Sequence, residues 1–271
     1  LYNLSDDQTE YQINDRMSFM RFLGINLCEK VPDAKTIWKF KNDLAETKTV
    51  NTLFCMFDEY LEKEGLISHK GTIVDATFVD APRQRNSRDE NKKIKNGEIP
   101  EEWEKPENKI KLAQKDIDAD WTKKNGERHF GYKDHVKCDA DSKLITNYSV
   151  TSASVHDSQR CLVFIGQEDE VLYADSAYSG KPIALALPEN CKNQICEKGY
   201  RNSPLTSEQK MNNRRKSRIR CRIEHIFGFM TGAMHGITIR SIGITRAWMN
   251  IGITNLVYNF CRYSYLKRAS A

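Results

Sequence analysis

Apolar positions follow a helical spacing through the first 65 residues of the chain. Because residues three and four apart share one face of an α-helix, this spacing predicts three amphipathic helices. We expect Asn14 and Asp15 to open the first helix, Pro32 and Asp33 to open the second, and Gly65 to end the third. The stripes, which we interpret as packing surfaces, are Met17, Met20, Leu23 and Leu27; Ile37, Phe40 and Leu44; and Val50, Leu53, Phe54, Phe57, Tyr60 and Leu61.

The spacing then changes to the alternation that is typical of strands. Residues 72–79 are rich in β-branched side chains and predict a first strand. Residues 129–138 and 144–150 alternate on either side of the turn 139–142 and predict a hairpin. Residues 170–174 predict a fourth strand that ends at Asp175, and residues 194–197 predict a fifth.

Helices separate and follow the later strands. Ser154 with Asp157, and Thr206 with Gln209, have the spacing of a capping box and predict the starts of two helices. The second of these is a long helix, and another helix closes the chain. Their apolar positions are Ile219, Ile223, Ile226 and Met230, then Met249, Ile253, Leu256 and Phe260.

This order predicts an α/β fold, an RNase H-like mixed five-stranded sheet flanked by helices, with an N-terminal helical region. If the first three strands are antiparallel and the next helix is a right-handed crossover, the fourth strand lies parallel to the first. We place the helical region, for DNA binding or dimerisation, at residues 1–68 and the RNase H-like domain at 69–271. A start at Leu1 rather than Met suggests that the natural protein begins upstream and that the helical region is truncated.

Residues 82–128 interrupt the sheet between its first two strands. Of these 47 residues 24 are charged, and few besides Trp103 and Trp121 are large and apolar. Since such a composition buries little surface, we expect an extended, mobile insertion with weak helices. Its basic first part favours DNA contact and a solvated loop about equally, and it comprises Arg83, Arg85, Arg88, Lys92, Lys93 and Lys95.

The composition excludes several classes of protein. A hydrophobic content of 39% is enough for a folded core, and the mean hydropathy of −0.65 with no long apolar run argues against a membrane span. The polar, acidic start also argues against a signal peptide. Eight cysteines without regular spacing predict reduced thiols in a cytoplasmic protein. A zinc site made of Cys191, Cys196, Cys221 and His225 is a weaker alternative.

Positive charge is concentrated ahead of one helical acid. Residues 192–222 contain ten Lys or Arg and two Glu, whereas the whole chain carries a net charge of +5. A solvated helix face would explain such a run, but its position next to Glu224 favours phosphate binding. The predicted DNA-binding residues are Arg214, Arg215, Lys216, Arg218, Arg220 and Arg222.

Three acids lie where regular elements would present them together. Asp75 lies within an apolar strand, where an unpaired carboxylate is costly. Asp175 ends another strand, and Glu224 flanks the apolar stripe of the long helix, four residues after Arg220. Two Mg²⁺ ions about 4 Å apart need such hard oxygen ligands for phosphoryl transfer. Competing acids have ordinary explanations: Asp139 and Asp141 suit a turn, Asp157 after His156 suits a helix start, and His135 suits a structural role.

Several motifs in this order resemble the DDE transposases of bacterial insertion sequences, and among them the Insertion Sequence Five branch. The resemblance runs from about Met17 to Arg262 and is strongest in YADSAYSG at 173–180 and RIRCRIEHIF at 218–227. It also includes IVDAT at 73–77 with the following Ala81 and Pro82, FGYKDH at 130–135, DADS at 139–142 and VHD at 155–157. Ser217 and Thr231 depart from a tyrosine and a lysine that relatives often have.

This resemblance implies that Asp75, Asp175 and Glu224 are the catalytic, metal-binding acids of an Mg²⁺-dependent enzyme. The enzyme would cut and join element ends by two-metal phosphoryl transfer, with Mn²⁺ able to replace Mg²⁺. Its partners would be terminal inverted repeats, target DNA and a second copy of the chain on DNA, in the bacterial cytoplasm at the nucleoid. The alternatives are another RNase H-like nuclease and a transposase-derived DNA-binding protein that does not cut.

Overall fold

A computed structural model describes residues 1–124 and 126–269 of the chain. The N-terminal region is helical, as predicted: α1 is Asp6–Asp15, α2 Met17–Leu23, α3 Ala34–Glu46 and α4 Thr49–Lys63. Asp33 caps α3 through the Thr36 N–H, and Gly65 follows the end of α4 with a positive φ of 68°. The predicted caps Asn14 and Asp15 are wrong, because both residues belong to the last turn of α1 and Arg16 precedes α2 without a side-chain cap.

The apolar stripes of these helices are only partly packed, which corrects the prediction. Met20, Val50, Phe54 and Leu61 are buried. Met17 is 70% exposed on α2, and Leu27, also 73% exposed, lies beyond the end of α2 at Leu23. Phe40 is likewise 62% exposed.

Among the described residues, six strands form one mixed sheet rather than the predicted five. They are β1 Thr72–Asp80, β2 Asp120–Lys124, β3 Glu127–Asp139, β4 Ile145–Ser152, β5 Val171–Ala174 and β6 Lys192–Asn193. β3 pairs antiparallel with β1, β2 and β4, whereas β5 lies parallel to β1 on one side and to β6 on the other. The additional strand is β2, which the insertion contributes.

The insertion is folded against the sheet, so the prediction of an extended segment is wrong, whereas short helices are present as predicted. It forms α5 Arg88–Lys95, α6 Glu101–Glu104, a 3₁₀ helix at Pro106–Asn108, and α7 Lys109–Ala113 before β2. Trp103 is fully buried, and its Nε1 donates to Glu90 at 2.7 Å. The buried Asp116 accepts the Tyr132 hydroxyl at 2.7 Å and so joins the insertion to β3. Charged residues therefore build this segment around one tryptophan.

The remaining helices are α8 Ser158–Phe164, α9 Lys181–Ala186, α10 Ser207–Arg220, α11 Arg222–Thr231 and α12 Ile244–Ala269, with a 3₁₀ helix at Ser176–Tyr178. The predicted capping box of Thr206 and Gln209 opens α10. The one predicted at Ser154 is wrong, because Asp157 makes no capping bond and pairs with Lys133. The predicted long helix is also divided, since Cys221 separates α10 from α11.

Helices cover both faces of β1, which explains why Ile73 and Val74 are both buried. On one face Ile73 and Val79 pack with Ile223 and Ile226 of α11. On the other face, Val74 and the β5 residues Leu172 and Ala174 pack with residues of α8 and α9. In the part of the chain that the structure describes, no helix has the length and apolar character needed to cross a membrane.

Candidate active site

Two of the predicted acids lie side by side where the parallel pairing of β1 and β5 ends. Ile73 pairs with Tyr173 and Val74 with Ala174; Asp75 is the next residue of β1, and Asp175 directly follows β5. Side chains alternate along a strand, so both acids lie on the face that carries Ile73. β5 ends at Ala174, and the Asp175 carboxylate accepts the Ser176 N–H at 2.6 Å to begin the 3₁₀ helix. The crossover thus aligns the two acids, as predicted.

Glu224 reaches the same place from a helix. Ile223 and Ile226 anchor α11 in the core on this face of the sheet. Glu224 lies beside this buried stripe, and its side chain is 56% exposed. The helix therefore fixes the backbone of Glu224 while leaving its carboxylate open to solvent.

Arg220 joins the acid on the strand to the acid on the helix. Its Nη1 donates to Asp75 Oδ2 at 2.9 Å, and its Nη2 donates to Glu224 Oε1 at 2.9 Å. The other oxygen of Asp75 accepts the Ala76 N–H at 2.8 Å. One guanidinium group thus spans the gap between the carboxylates, at the strand ends where Asp175 also lies.

The pKa values reflect this crowding of charge. Burial raises the pKa of Asp75 above its usual range, although the Ala76 N–H and Arg220 oppose the change, and Asp175 raises it further. For Arg220, burial lowers the pKa, but Asp75, Glu224 and Asp175 outweigh it and raise the value overall. The pKa of Arg220 therefore responds to all three carboxylates, and the pKa of Asp75 responds to Arg220 and Asp175.

The basic run is divided between structural and exposed side chains. Lys216 donates to the Ile195 carbonyl at 2.9 Å, and Arg222 donates to the Ala140 carbonyl at 2.6 Å and to Asp141 at 3.0 Å. Like Arg220, these two residues are therefore engaged within the protein. The remaining three predicted DNA-binding side chains point from α10 into solvent, and they are Arg214, Arg215 and Arg218.

The competing acids have structural roles, although Asp157 forms an ion pair rather than the helix cap that its sequence context indicated. The Asp139 carboxylate accepts hydrogen bonds from Ser68 and from the N–H groups of Asp141 and Ser142, which shapes the β3–β4 turn. Asp157 pairs with the buried Lys133 at 2.8 Å. His135 is fully buried against Thr151, and burial lowers its pKa to about 4, so it is neutral at pH 7. These side chains are occupied by the fold.

The oxygen donors suit a hard divalent cation, whereas another acidic group of the protein does not. Carboxylates are the ligands that Mg²⁺ and Mn²⁺ prefer, and Asp75, Asp175 and Glu224 supply them on one side of the sheet. Within the described residues, three potential ligand atoms lie within 4.8 Å of one another at His69, Glu168 and Asp169. That group lies before β1 and β5, at the opposite strand ends. Lys137 donates to Asp169 at 2.9 Å, so an ammonium already neutralises this acid.

Sequence reasoning missed some neighbours of the acids. Lys124, at the end of β2, is close enough to Asp75 to lower its pKa. Tyr178 is fully buried near Asp75 and Asp175, and its hydroxyl has no hydrogen-bond partner among the described residues. No periodicity indicates either contact, because both depend on how β2 and the 3₁₀ helix dock.

Comparison with known families shows the class of protein to which the chain belongs. The family model described as the transposase DDE domain matches residues 67–260, which is more than half of the chain. The chain belongs to the DDE transposases. A second model, described as a transposase domain, matches residues 1–43 of this transposase. No solved structure matched the chain.

The match confirms the predicted family, and the mixed sheet confirms the RNase H-like fold class. The transposase is therefore an enzyme that acts on DNA, in a family that generally uses divalent metals. Neither alternative, another nuclease or a binding protein that does not cut, gains support from these matches. The Insertion Sequence Five branch and the boundary between residues 68 and 69 stay predictions.

Proposed function

We propose that Asp75, Asp175 and Glu224 are the catalytic carboxylates of this transposase, and that they hold two Mg²⁺ ions for DNA cleavage and strand transfer. The observation that carries the proposal is the Arg220 guanidinium, which is bonded to both Asp75 and Glu224 at 2.9 Å beside the end of β5. The three carboxylates gather negative charge, and the guanidinium balances part of it. Such an anionic site is what divalent metal ions require.

In the proposed reaction, the protein supplies the carboxylates that would bind the metal ions and keeps them in position. Bound Mg²⁺ would activate the attacking oxygen and stabilise the leaving oxygen of the phosphodiester. Asp75 and Asp175 are suited to hold it because rigid paired strands position both carboxylates. Glu224 is suited to complete the ligand set because its exposed carboxylate can adjust while α11 stays anchored. Mn²⁺ prefers the same ligands and should replace Mg²⁺.

Arg220 has a second role in this proposal. Arginine presents a planar, permanently charged group that suits phosphate as well as carboxylate. Once the carboxylates are neutralised by bound cations, the guanidinium is free to contact the phosphate that is cut. Water would attack this phosphate first, and the freed DNA 3′-hydroxyl would attack target DNA afterwards.

The exposed cations of α10 support DNA binding next to the acids. Arg214, Arg215 and Arg218 lie on α10, the helix directly before the one that carries Glu224, and their side chains are exposed. Phosphate contacts of this kind bind DNA of any sequence and weaken with salt. We assign them to duplex DNA at the terminal inverted repeats or the target, in the bacterial cytoplasm at the nucleoid.

A homodimer on DNA completes the proposal, because two element ends must be brought together. Support comes from the exposed apolar side chains of α2 and α3, since large apolar patches mark interaction surfaces. Phe22 is 85% exposed, and Trp38 and Phe40 are 53% and 62% exposed. Sedimentation of the protein with and without DNA ends tests this part separately.

The catalytic assignment is tested by cutting a plasmid that carries the inverted repeats flanking the gene. We expect wild-type protein to cut in Mg²⁺ or Mn²⁺ and not in EDTA, and Asp75→Asn and Glu224→Gln to be inactive. Asp80→Asn is the matched control, because Asp80 is an exposed acid on the same strand, 71% exposed and outside the site. Cutting by Glu224→Gln at the wild-type rate would refute the assignment.

A further inference from the structure

A basic cleft lies within the folded insertion, at the β2 side of the sheet. α5 forms one wall and the β2–β3 pair forms the other. The half-buried ring of Trp121 lies between them, packed against Phe130 at a centroid distance of 5.1 Å. The lining residues are Arg88, Asn91, Trp121, Thr122, Lys123 and Arg128.

The charge of this cleft is not compensated within the protein. Its lining contains three cations and no acid. A fourth cation, Arg83, lies with its guanidinium 5.8 Å from the centre of the Trp121 ring. Across the described residues, none of these four side chains makes an ion pair or a hydrogen bond, although acids are abundant elsewhere in the insertion. A concave surface with one sign of charge attracts a polyanion.

The cleft faces the same side of the sheet as the acids. Trp121 pairs with Phe130, and Lys123 pairs with Arg128. Phe130 belongs to the core cluster that contains Ile73 and Val79, which share the Asp75 face of β1. Along β3, Phe130 lies six residues from Val136, the partner of Asp75, which is about 20 Å at about 3.3 Å per residue. A strand of DNA at the acids could therefore continue into the cleft without crossing the sheet.

We infer that this cleft binds the sugar–phosphate backbone of the DNA next to the cut site. Arg88, Lys123 and Arg128 contact phosphates, while Trp121 packs against a deoxyribose. Asn91 and Thr122 supply neutral hydrogen-bonding groups that suit sugar and phosphate oxygens. An acidic protein segment would satisfy the charge, but the shared sheet face favours the polyanion that is already the substrate. The inference rests on the proposed function and adds a second DNA contact surface, separate from α10.

The test compares two charge-matched double variants in EDTA, where no cleavage complicates binding. Lys123→Ala with Arg128→Ala removes two cations from the cleft. Lys70→Ala with Lys192→Ala removes two exposed cations from the opposite strand ends. We expect the cleft variant alone to bind a short mixed-sequence duplex more weakly and to lower the salt slope by about 2.

Tryptophan fluorescence gives a second reading that does not depend on charge. The chain has four tryptophans. We expect duplex DNA to quench the wild-type emission and to quench Trp121→Phe much less, with the fold unchanged by circular dichroism. Polyglutamate serves as the competing polyanion. Quenching by polyglutamate equal to that by DNA would overturn the assignment to DNA.

The two proposals fail differently. If the cleft variant keeps the wild-type salt slope while the protein still cuts DNA, the cleft inference is wrong and the catalytic assignment stands. If the slope falls by the expected amount but wild-type protein does not cut in Mg²⁺, the cleft is a DNA contact and the catalytic assignment is wrong.

Discussion

The two ends of the β1–β5 pair both gather charge, but they use it differently. At the amino ends, Asp169 accepts the Thr72 hydroxyl at 2.6 Å, and both the Gly166 N–H and Lys137 at 2.9 Å. At the carboxyl ends, Asp175 accepts the Ser176 N–H and Glu224 accepts Arg220. Donors from the fold thus saturate the first acid, whereas the acids at the other end keep lone pairs free for a ligand.

The charged side chains at the amino ends are also more deeply buried than Glu224. The Asp169 and Lys137 side chains are 2% and 8% exposed, whereas the Glu224 side chain is 56% exposed. A buried carboxylate that is already paired with an ammonium and accepts two further hydrogen bonds is poorly suited to bind a metal. Proximity of acids is therefore a weaker sign of a metal site than the number of donors that the fold has already assigned to them.

Asp175→Asn should give the largest effect on activity. We expect cleavage to fall about a thousandfold or more, because several kcal/mol of transition-state stabilisation depend on the bound cations. The melting temperature in EDTA should stay equal or rise, since one of several repelling charges is removed. Mg²⁺ should raise the melting temperature of the wild type more than that of the variant. A lower melting temperature in EDTA would instead make Asp175 a structural turn residue.

Asp169→Ala should give the largest effect on stability. Removing one partner of a buried pair leaves Lys137 with the more distant, half-exposed Glu168 at 3.9 Å, and we expect a cost of about 3 kcal/mol in the free energy of unfolding. Urea unfolding measures this cost. The control is Asp169→Leu combined with Lys137→Met, which removes both charges and should recover most of the loss. Suppose that Asp169→Ala leaves the free energy of unfolding in EDTA unchanged but abolishes the stabilisation of the protein by Mg²⁺. Asp169 would then be a metal ligand, and the contrast between the two ends would be wrong.

Arg220→Ala should have a smaller effect that depends on the metal. Its hydrogen bonds to Asp75 and Glu224 are charged, so their loss should lower the free energy of unfolding in EDTA by about 1.5–3 kcal/mol. Mg²⁺ should reduce this difference, because a bound cation replaces the lost charge. The comparison is urea unfolding of both proteins with EDTA and with Mg²⁺. An equal loss in both conditions would show that Arg220 is a purely structural link.

Asp58→Asn should have the smallest effect, and it depends on pH. Asp58 lies on α4 near Lys137, and burial, followed by Glu62, raises its pKa from 3.8 to about 7. A raised acid pKa means that the folded protein favours the protonated form, so stability should fall as the pH rises from about 4 to 7. The variant lacks this dependence. Parallel curves of unfolding free energy against pH for the two proteins would contradict the shift.

The position of the acids could be predicted because strand pattern and crossover geometry are local rules. Strand alternation located Asp75 and Asp175, and the crossover rule made β1 and β5 parallel neighbours. Glu224 followed from helical spacing relative to Ile223. The spacing between Arg220 and Glu224 also predicted their contact, which survives the helix break at Cys221.

What could not be predicted depends on contacts between distant segments. Trp103 is buried because Glu90 accepts its N–H, and Lys111 and Lys115 lie over its ring at 5.6 and 5.1 Å. These partners come from separate parts of a highly charged stretch, so its composition alone suggested disorder. The prediction that the stripe containing Met17 packs against the core was wrong for a different reason. Periodicity indicates an apolar face of a helix, but not whether another element covers that face.

The break at Cys221 between α10 and α11 has a consequence for the evolution of the protein. α10 has no buried residue, whereas α11 contributes Ile223, Ile226 and Met230 to the core. Most substitutions on an exposed helix face alter stability by less than about 0.5 kcal/mol. Substitutions at the exposed positions Arg214, Arg215 and Arg218 can therefore change DNA affinity at little cost in stability, while α11 keeps Glu224 in position. This separation makes α10 a suitable segment for directed evolution toward new target sites.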